Sequence, residues 1–131
     1  MFHVTDLKVV TVVTPDLESA VATFRKNFGL PVTRSSDSAS GPNQSVRLGI
    51  GAAEIEMATP ADDRSPLASF LAVRGPALYE LVLEVDDLEA ARDALAVRGI
   101  DVSVTPGSDG RRAGLLNPAE THGVRIVLVA R

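Results

Sequence analysis

The chain has 131 residues, one domain's length, with 45% hydrophobic and 23% charged residues, enough apolar content to bury a core. A net charge of −4 with no cluster of Lys or Arg argues against nucleic acid as partner, and no apolar run approaches a membrane span. The absence of cysteine excludes disulfides and thiolate metal sites, and Met1–Asp6 lacks the basic-then-apolar pattern of a signal peptide, so a cytoplasmic location is expected.

Leu7–Thr14 is rich in β-branched residues and predicts a strand. Thr14-Pro15-Asp16 carries helix-start signals, and Leu17, Ala20, Val21, Phe24 and Phe28 then recur at three- and four-residue steps, the stripe of an amphipathic helix. Asn27 and Gly29 stop it. Pro31–Ser36 reads as a short strand and Ser35–Ser45 as a polar loop, a candidate lid. Val46–Ile50 and Ala53–Ala58 read as a hairpin. Thr59–Arg64 is a loop, and Pro66–Val73 predicts a short helical turn before Arg74-Gly75-Pro76 breaks it.

The plan then repeats. At an offset of 71, Asp16-Leu17-Glu18 falls on Asp87-Leu88-Glu89, Ala20 on Ala91 and Phe24 on Leu95. Ala77–Val85 predicts a strand, Asp87–Arg98 a helix stopped by Gly99, Ile100–Val104 a strand, and Arg112–Leu116 with Val124–Ala130 the last two strands. The expected fold is α+β: one domain, 1–131, of two tandem β-α-β-β-β modules, 7–59 and 77–130, joined by the linker 60–76.

Strand alternation sorts the faces. Leu81, Leu83 and Val85 share the helix-packing face, so Glu80, Val82 and Glu84 look the other way. Ile55 and Met57 pack inward, so Glu54, Glu56 and Ala58 face opposite. Val9, Thr11 and Val13 join that second face, as do Arg125, Val127 and Val129, with Arg47 and Gly49 alongside. Glutamates gathered in an apolar setting repel one another and lose hydration, so at least one carboxyl is expected to hold its proton more tightly than usual. That would suit general acid or base work. Arginine could neutralise one of them or hold a substrate oxygen. The bland reading of the same residues is a solvated face of charged pairs. Asp16, Glu18, Asp87 and Glu89 are read as structural, favoured at helix starts by the dipole. His122, beside Gly123, reads as a surface histidine, and His3 as a solvated terminal one.

The double β-α-β-β-β order resembles the vicinal oxygen chelate superfamily, which includes glyoxalase I, extradiol dioxygenases, bleomycin resistance proteins and methylmalonyl-CoA epimerase. The epimerase branch is closest in wording. Glu84-Val85-Asp86-Asp87-Leu88-Glu89 looks like its second helix start. Gly110-Arg111-Arg112 with Leu115-Leu116-Asn117-Pro118 looks like its GR…FLHP stretch, and Thr121-His122-Gly123-Val124 like the lead into its last strand. The resemblance implies a glyoxalase-like curved sheet whose face away from the helices forms a cup for substrate. It also implies a homodimer.

Metal-using members take four ligands from positions that here are Val9, Glu56, Glu80 and Val127. Two valines and two carboxylates without imidazole make a poor site, so the expectation is no metal and no cofactor. The epimerases' catalytic glutamate falls where this chain reads Asn43-Gln44-Ser45, with no acid.

The expected function is a metal-independent lyase or isomerase that rearranges or cyclises a small carbonyl-containing metabolite. Glu56, Glu80 and Arg125 would be catalytic, and Val9, Thr11, Arg47, Glu54, Val82, Glu84 and Val127 would line the substrate. The alternatives are a non-catalytic antibiotic-binding protein of the same fold, which the 4% aromatic content disfavours, and a metal-dependent epimerase or lactoylglutathione lyase-like enzyme. A metal set of Glu54, Glu56, Glu80 and His122 is the further variant.

Overall fold

The computed structural model describes residues 1–36, 43–107 and 110–131. Its elements are β1 (Val4–Val13), α1 (Leu17–Phe28), β2 (Val32–Ser36), β3 (Asn43–Ile50), β4 (Ala53–Pro60), α2 (Pro66–Arg74), β5 (Ala77–Val85), α3 (Leu88–Val97), β6 (Val102–Pro106), β7 (Arg112–Leu116) and β8 (Arg125–Ala130). A 3₁₀ turn, Pro118–Glu120, precedes β8. Two compact units divide the chain. One is Val9–Tyr79; the other combines Met1–Lys8 with Glu80–Arg131. Of the expected loop Ser35–Ser45, a candidate lid, Ser35 and Ser36 belong to β2 and Asn43–Ser45 to β3, while residues 37–42 lie outside the described residues.

In the unit Val9–Tyr79 the strand order is β2-β3-β4-β1, with β3 antiparallel to β4 and β4 parallel to β1. The first helix starts two residues later than the Thr14-Pro15 signal suggested. Asp16 is its cap, accepting the Ser19 N–H at 3.1 Å, and Pro15 lies before the cap. Gly29, at φ 67°, donates its N–H to the Arg25 carbonyl and closes the other end. The helix packs on β3 and β4, where Leu48 and Met57 are fully buried. Its own stripe is only half-buried, and Phe28 at 67% exposure lies outside the core, edge-on to Phe24.

The segment expected to be a single helical turn is a nine-residue helix, α2. Ser65 caps it by accepting the Ala68 N–H at 3.1 Å, and Pro66 sits in the first turn, where no N–H is needed. Leu67 seats against Val13 and Ala58, with Phe70, Leu71 and Tyr79 packed around them. Phe70 and Tyr79 meet edge-to-face at 4.9 Å. Because Val13 and Ala58 alternate with Val12 and Met57, α2 covers the sheet face opposite α1. This unit therefore buries both faces at that end.

In the other unit the order runs β1-β5-β8-β7-β6, with β5 parallel to β8 and β8, β7 and β6 successively antiparallel. Asp87 caps α3 as Asp16 caps α1, accepting the Ala90 N–H at 3.0 Å. Leu88 and Ala91 close onto Val85 and Leu128, flanked by Leu83, Leu95, Val104, Leu116 and Ile126. Gly114 makes that approach possible, since a Cβ there would lie 2.8 Å from Val102 Cγ1 and 3.2 Å from Leu88 Cδ1. Phe2 joins this core. His3, expected to be solvated, is tied to Asp86 through its backbone N–H at 2.9 Å and its ring Nδ1 at 3.2 Å. Those contacts, the backbone one foremost, hold the Asp86 carboxyl below its ordinary range.

Candidate functional site

Register turns the sequence alternation into rows. In the unit Val9–Tyr79, Gly49, Glu54 and Val9 pair across β3, β4 and β1, and Arg47, Glu56 and Thr11 form the next row. Ser45, Ala58 and Val13 form the third, the one α2 closes over. The first two rows bring together five of the expected site residues.

Four donors serve the two carboxylates there, one per oxygen. Thr11 Oγ1 donates to Glu56 Oε1 at 3.0 Å, and Arg47 Nε donates to Glu56 Oε2 at 3.2 Å. Arg47 Nη1 donates to Glu54 Oε1 at 3.4 Å, and Thr33 Oγ1 donates to Glu54 Oε2. All three charged side chains are about three-quarters covered, with exposures of 22% for Arg47, 25% for Glu54 and 21% for Glu56. In that setting charge-assisted bonds outweigh their surface counterparts.

Thr33 was not legible as a site residue. Its place depends on a bulge in β2, where the pairing passes from Val32↔Leu48 to Arg34↔Arg47 and leaves Thr33 the extra residue. The bulge leans Thr33 over Gly49, where a Cβ would meet its Cγ2 at 2.8 Å. Only a glycine lets the hydroxyl reach Glu54. That bond, ahead of the opposing cost of burial and the help of Arg47, lowers the Glu54 carboxyl below its ordinary value. At Glu54 the shift is thus opposite to the expected rise, because the cost of burial is outweighed by Thr33 and Arg47.

The other unit holds Glu80, Val82, Glu84, Arg125 and Val127 on one face. Glu80 pairs with Arg125, Val82 with Val127, and Glu84 with Val129 across β5 and β8. Arg125 Nε stands 3.9 Å from Glu80 Oε1, an ion pair longer than a hydrogen bond, with exposures of 37% and 22%. Glu84 is anchored otherwise. Thr5 Oγ1 donates to its Oε1 at 2.7 Å, and Lys8 Nζ lies 3.8 Å from its Oε2. Neither Thr5 nor Lys8 is among the expected site residues; β1 begins at Val4, three residues before the expected Leu7, and so takes in Thr5. His122 takes a left-handed turn conformation, φ 57°, ahead of Gly123.

The donors at the family's ligand positions do not fit a divalent metal. Val9 and Val127 offer no donor atom. Both Glu56 oxygens are engaged, one of them by a guanidinium, and Glu80 has a guanidinium as neighbour. Two unit charges 4 Å apart interact by about 4 kcal/mol at an effective dielectric near 20, so a dication that close to Arg47 would be repelled by roughly twice that. Among the described residues no three His, Cys, Asp or Glu side chains gather as a metal site, the set Glu54, Glu56, Glu80 and His122 included. No helix among them is long and apolar enough to cross a membrane.

Paired β-α-β-β-β modules with their ionisable residues on the strand faces opposite α1 and α3 define a class, and the comparisons agree. The model for the Glyoxalase/Bleomycin resistance protein/Dioxygenase superfamily matches residues 10–115, and the chain belongs to that superfamily. Within it, the chain is similar to methylmalonyl-CoA epimerases. It is 31% identical over 128 residues to the ethylmalonyl-CoA/methylmalonyl-CoA epimerase of Cereibacter sphaeroides, covering 93% of this chain and 95% of that one. It is 30% identical over 127 residues to the mitochondrial methylmalonyl-CoA epimerase of Dictyostelium discoideum, covering 93% and 76%. The crystal structure of methylmalonyl-CoA epimerase from Mycobacterium tuberculosis superposes with a TM-score of 0.86 at 27% identity, over 97% of this chain and 88% of that chain. The fold the resemblance implied is the fold observed.

Proposed function

We propose that the protein is an isomerase-type acid–base enzyme that works without a metal on a small carbonyl-containing metabolite, an acyl thioester being the first class to test. The observation that carries this is the pairing of each carboxylate at a ligand position with an arginine on the adjacent strand: Glu56 with Arg47, and Glu80 with Arg125. The epimerases it resembles are named for moving the configuration at a carbon next to a carbonyl. That chemistry needs a proton acceptor and a positive group for the enolate oxygen, and a carboxylate–guanidinium pair supplies both.

In this reading Glu80 takes the proton α to the carbonyl. The C–H electron pair moves into the enolate, whose oxygen rests on the Arg125 guanidinium, and the carbon takes a proton back from the Glu80 carboxyl, which exchanges with solvent, as the carbonyl re-forms. Arg125 Nε lies 3.9 Å from Glu80 Oε1, close enough for one ligand to meet both groups. In the unit Val9–Tyr79, Glu56 with Arg47 is the corresponding carboxylate–guanidinium pair. Val82 and Val127 give the reacting end an apolar lining; beside Glu56, Val9 is apolar and Thr11 donates its hydroxyl to the carboxylate. Glu84, held by Thr5 and Lys8, contributes fixed charge. Homodimer assembly belongs to the same proposal.

The test is α-proton exchange. A panel of acyl and 2-substituted malonyl thioesters is incubated in D₂O with chelator-treated protein and followed by proton NMR. The proposal expects exchange with at least one member, lost in Glu80→Gln while the ligand still binds. Tight binding without exchange anywhere in the panel would replace the enzyme by a sequestering protein.

A further inference from the structure

The four-oxygen network around Arg47 does more than neutralise charge. We infer that Arg47 is a built-in cation, standing against Glu56 where a divalent metal would otherwise bind, and that Glu54 and Thr33 are the positioning residues that hold it there. This deepens the metal-free reading above and rests on it.

Three observations carry the inference. Arg47 and Glu56 are direct cross-strand partners, so the guanidinium is delivered to the carboxylate by the register itself. Glu54, two residues before Glu56 and on the same face, takes Nη1 while Glu56 takes Nε. A planar fork with one carboxylate on each of two nitrogens has little freedom to swing out of the way. The second oxygen of Glu54 is pinned by Thr33, whose reach depends on the bulge in β2 and the missing side chain at Gly49. A surface pair of incidental origin needs neither device.

The arrangement also assigns the ligand chemistry. The bonds to the two carboxylates use Nε and one N–H of Nη1; neither carboxylate engages Nη2, and we assign its N–H groups to a ligand's carbonyl oxygen. With Glu54, Glu56 and Arg47 the cluster carries a net charge of −1, which suits a neutral carbonyl better than a second carboxylate.

Cation binding tests it, with a readout independent of turnover. Mn²⁺ is titrated into chelator-treated full-length protein and free Mn²⁺ is read by electron paramagnetic resonance. Wild type is expected to bind no tighter than millimolar. Arg47→Met keeps the stem and removes the charge, exposing two carboxylates, and should gain at least about tenfold in affinity. Adding Glu54→Gln to it should take that gain away. Arg47→Gln serves as the second charge-removing variant if the first does not fold. Micromolar binding by wild type, which needs no variant, would overturn the inference. So would a folded Arg47→Met or Arg47→Gln protein that binds no better than wild type. Absence of exchange activity in the thioester panel would remove the enzyme reading and leave these titrations to stand separately.

Discussion

The two units start from the same sequence plan and finish it differently. In Val9–Tyr79 the core is split over two faces, with Leu48 and Met57 buried on the α1 side and Val13, Ala58 and Leu67 under α2. In the other unit the buried cluster concentrates beneath α3, where Gly114 lets Leu88 sink in. The charged rows follow suit. Beside the dry end made by α2, Arg47 is locked between two carboxylates with a donor for every oxygen. Arg125 meets Glu80 at 3.9 Å and is more exposed, 37% against 22% for Arg47. The lesson is that the same two residue types, on β3 and β4 in one unit and on β8 and β5 in the other, form a donor-saturated network in the first and a longer, more exposed ion pair in the second.

Breaking the looser pair should have the largest effect. Glu80→Gln removes the proton acceptor, and turnover should fall roughly 10²–10⁴-fold while ligand affinity and melting temperature stay close to wild type. Steady-state kinetics beside calorimetric binding would check this. A loss confined to affinity would move Glu80 from chemistry to ligand contact.

Next come the cores. Leu67→Ala, which empties the cluster that seats α2, should cost about 2–5 kcal/mol by denaturant unfolding. The two crowded glycines then sharpen the contrast between the units. Gly114→Ala drives a methyl into Val102 and Leu88, which are packed, and should cost about 1–3 kcal/mol. Gly49→Ala meets only the Thr33 methyl, which can rotate away, and should cost about 1 kcal/mol, the worth of the Thr33–Glu54 bond it breaks. Equal losses at the two sites would contradict the difference in packing drawn above.

The smallest effect is on the acid side. The Glu54 carboxyl is lowered in the folded protein relative to its ordinary value of 4.5, chiefly by Thr33. The unfolded chain therefore binds the proton more readily. The resulting stabilisation is present above pH 4.5 and disappears as pH falls through the folded value. Glu54→Gln should lower the melting temperature near neutrality, and the gap from wild type should close in acid. A gap that widened in acid would reverse the assigned direction.

Most of the fold was legible in the sequence because the signals are local: the capping aspartates Asp16 and Asp87, the stops at Gly29 and Gly99, and the alternation of β5 and β8. That Arg47, Glu54, Glu56, Glu80 and Arg125 lie on the strand faces away from α1 and α3 followed from alternation; which arginine meets which carboxylate comes from the register. Three things were not readable. A bulge has no sequence period, so Thr33 stayed hidden although it decides the state of Glu54. The packing of α2 depends on contacts with Val13 and Ala58 that its own pattern does not announce. The exposure of Phe28 escaped because a helical stripe says which side is apolar and not how far along it the sheet extends.

The central claim is that arginine, rather than a metal ion, supplies the positive charge for an acid–base reaction. The most direct measurement is elemental mass spectrometry of untagged protein purified without chelator, paired with α-proton exchange before and after chelation. The account predicts less than stoichiometric Zn, Mn, Fe, Co or Ni and an exchange rate unchanged by chelator. One bound metal per chain, with exchange lost on its removal and restored by its return, would contradict it.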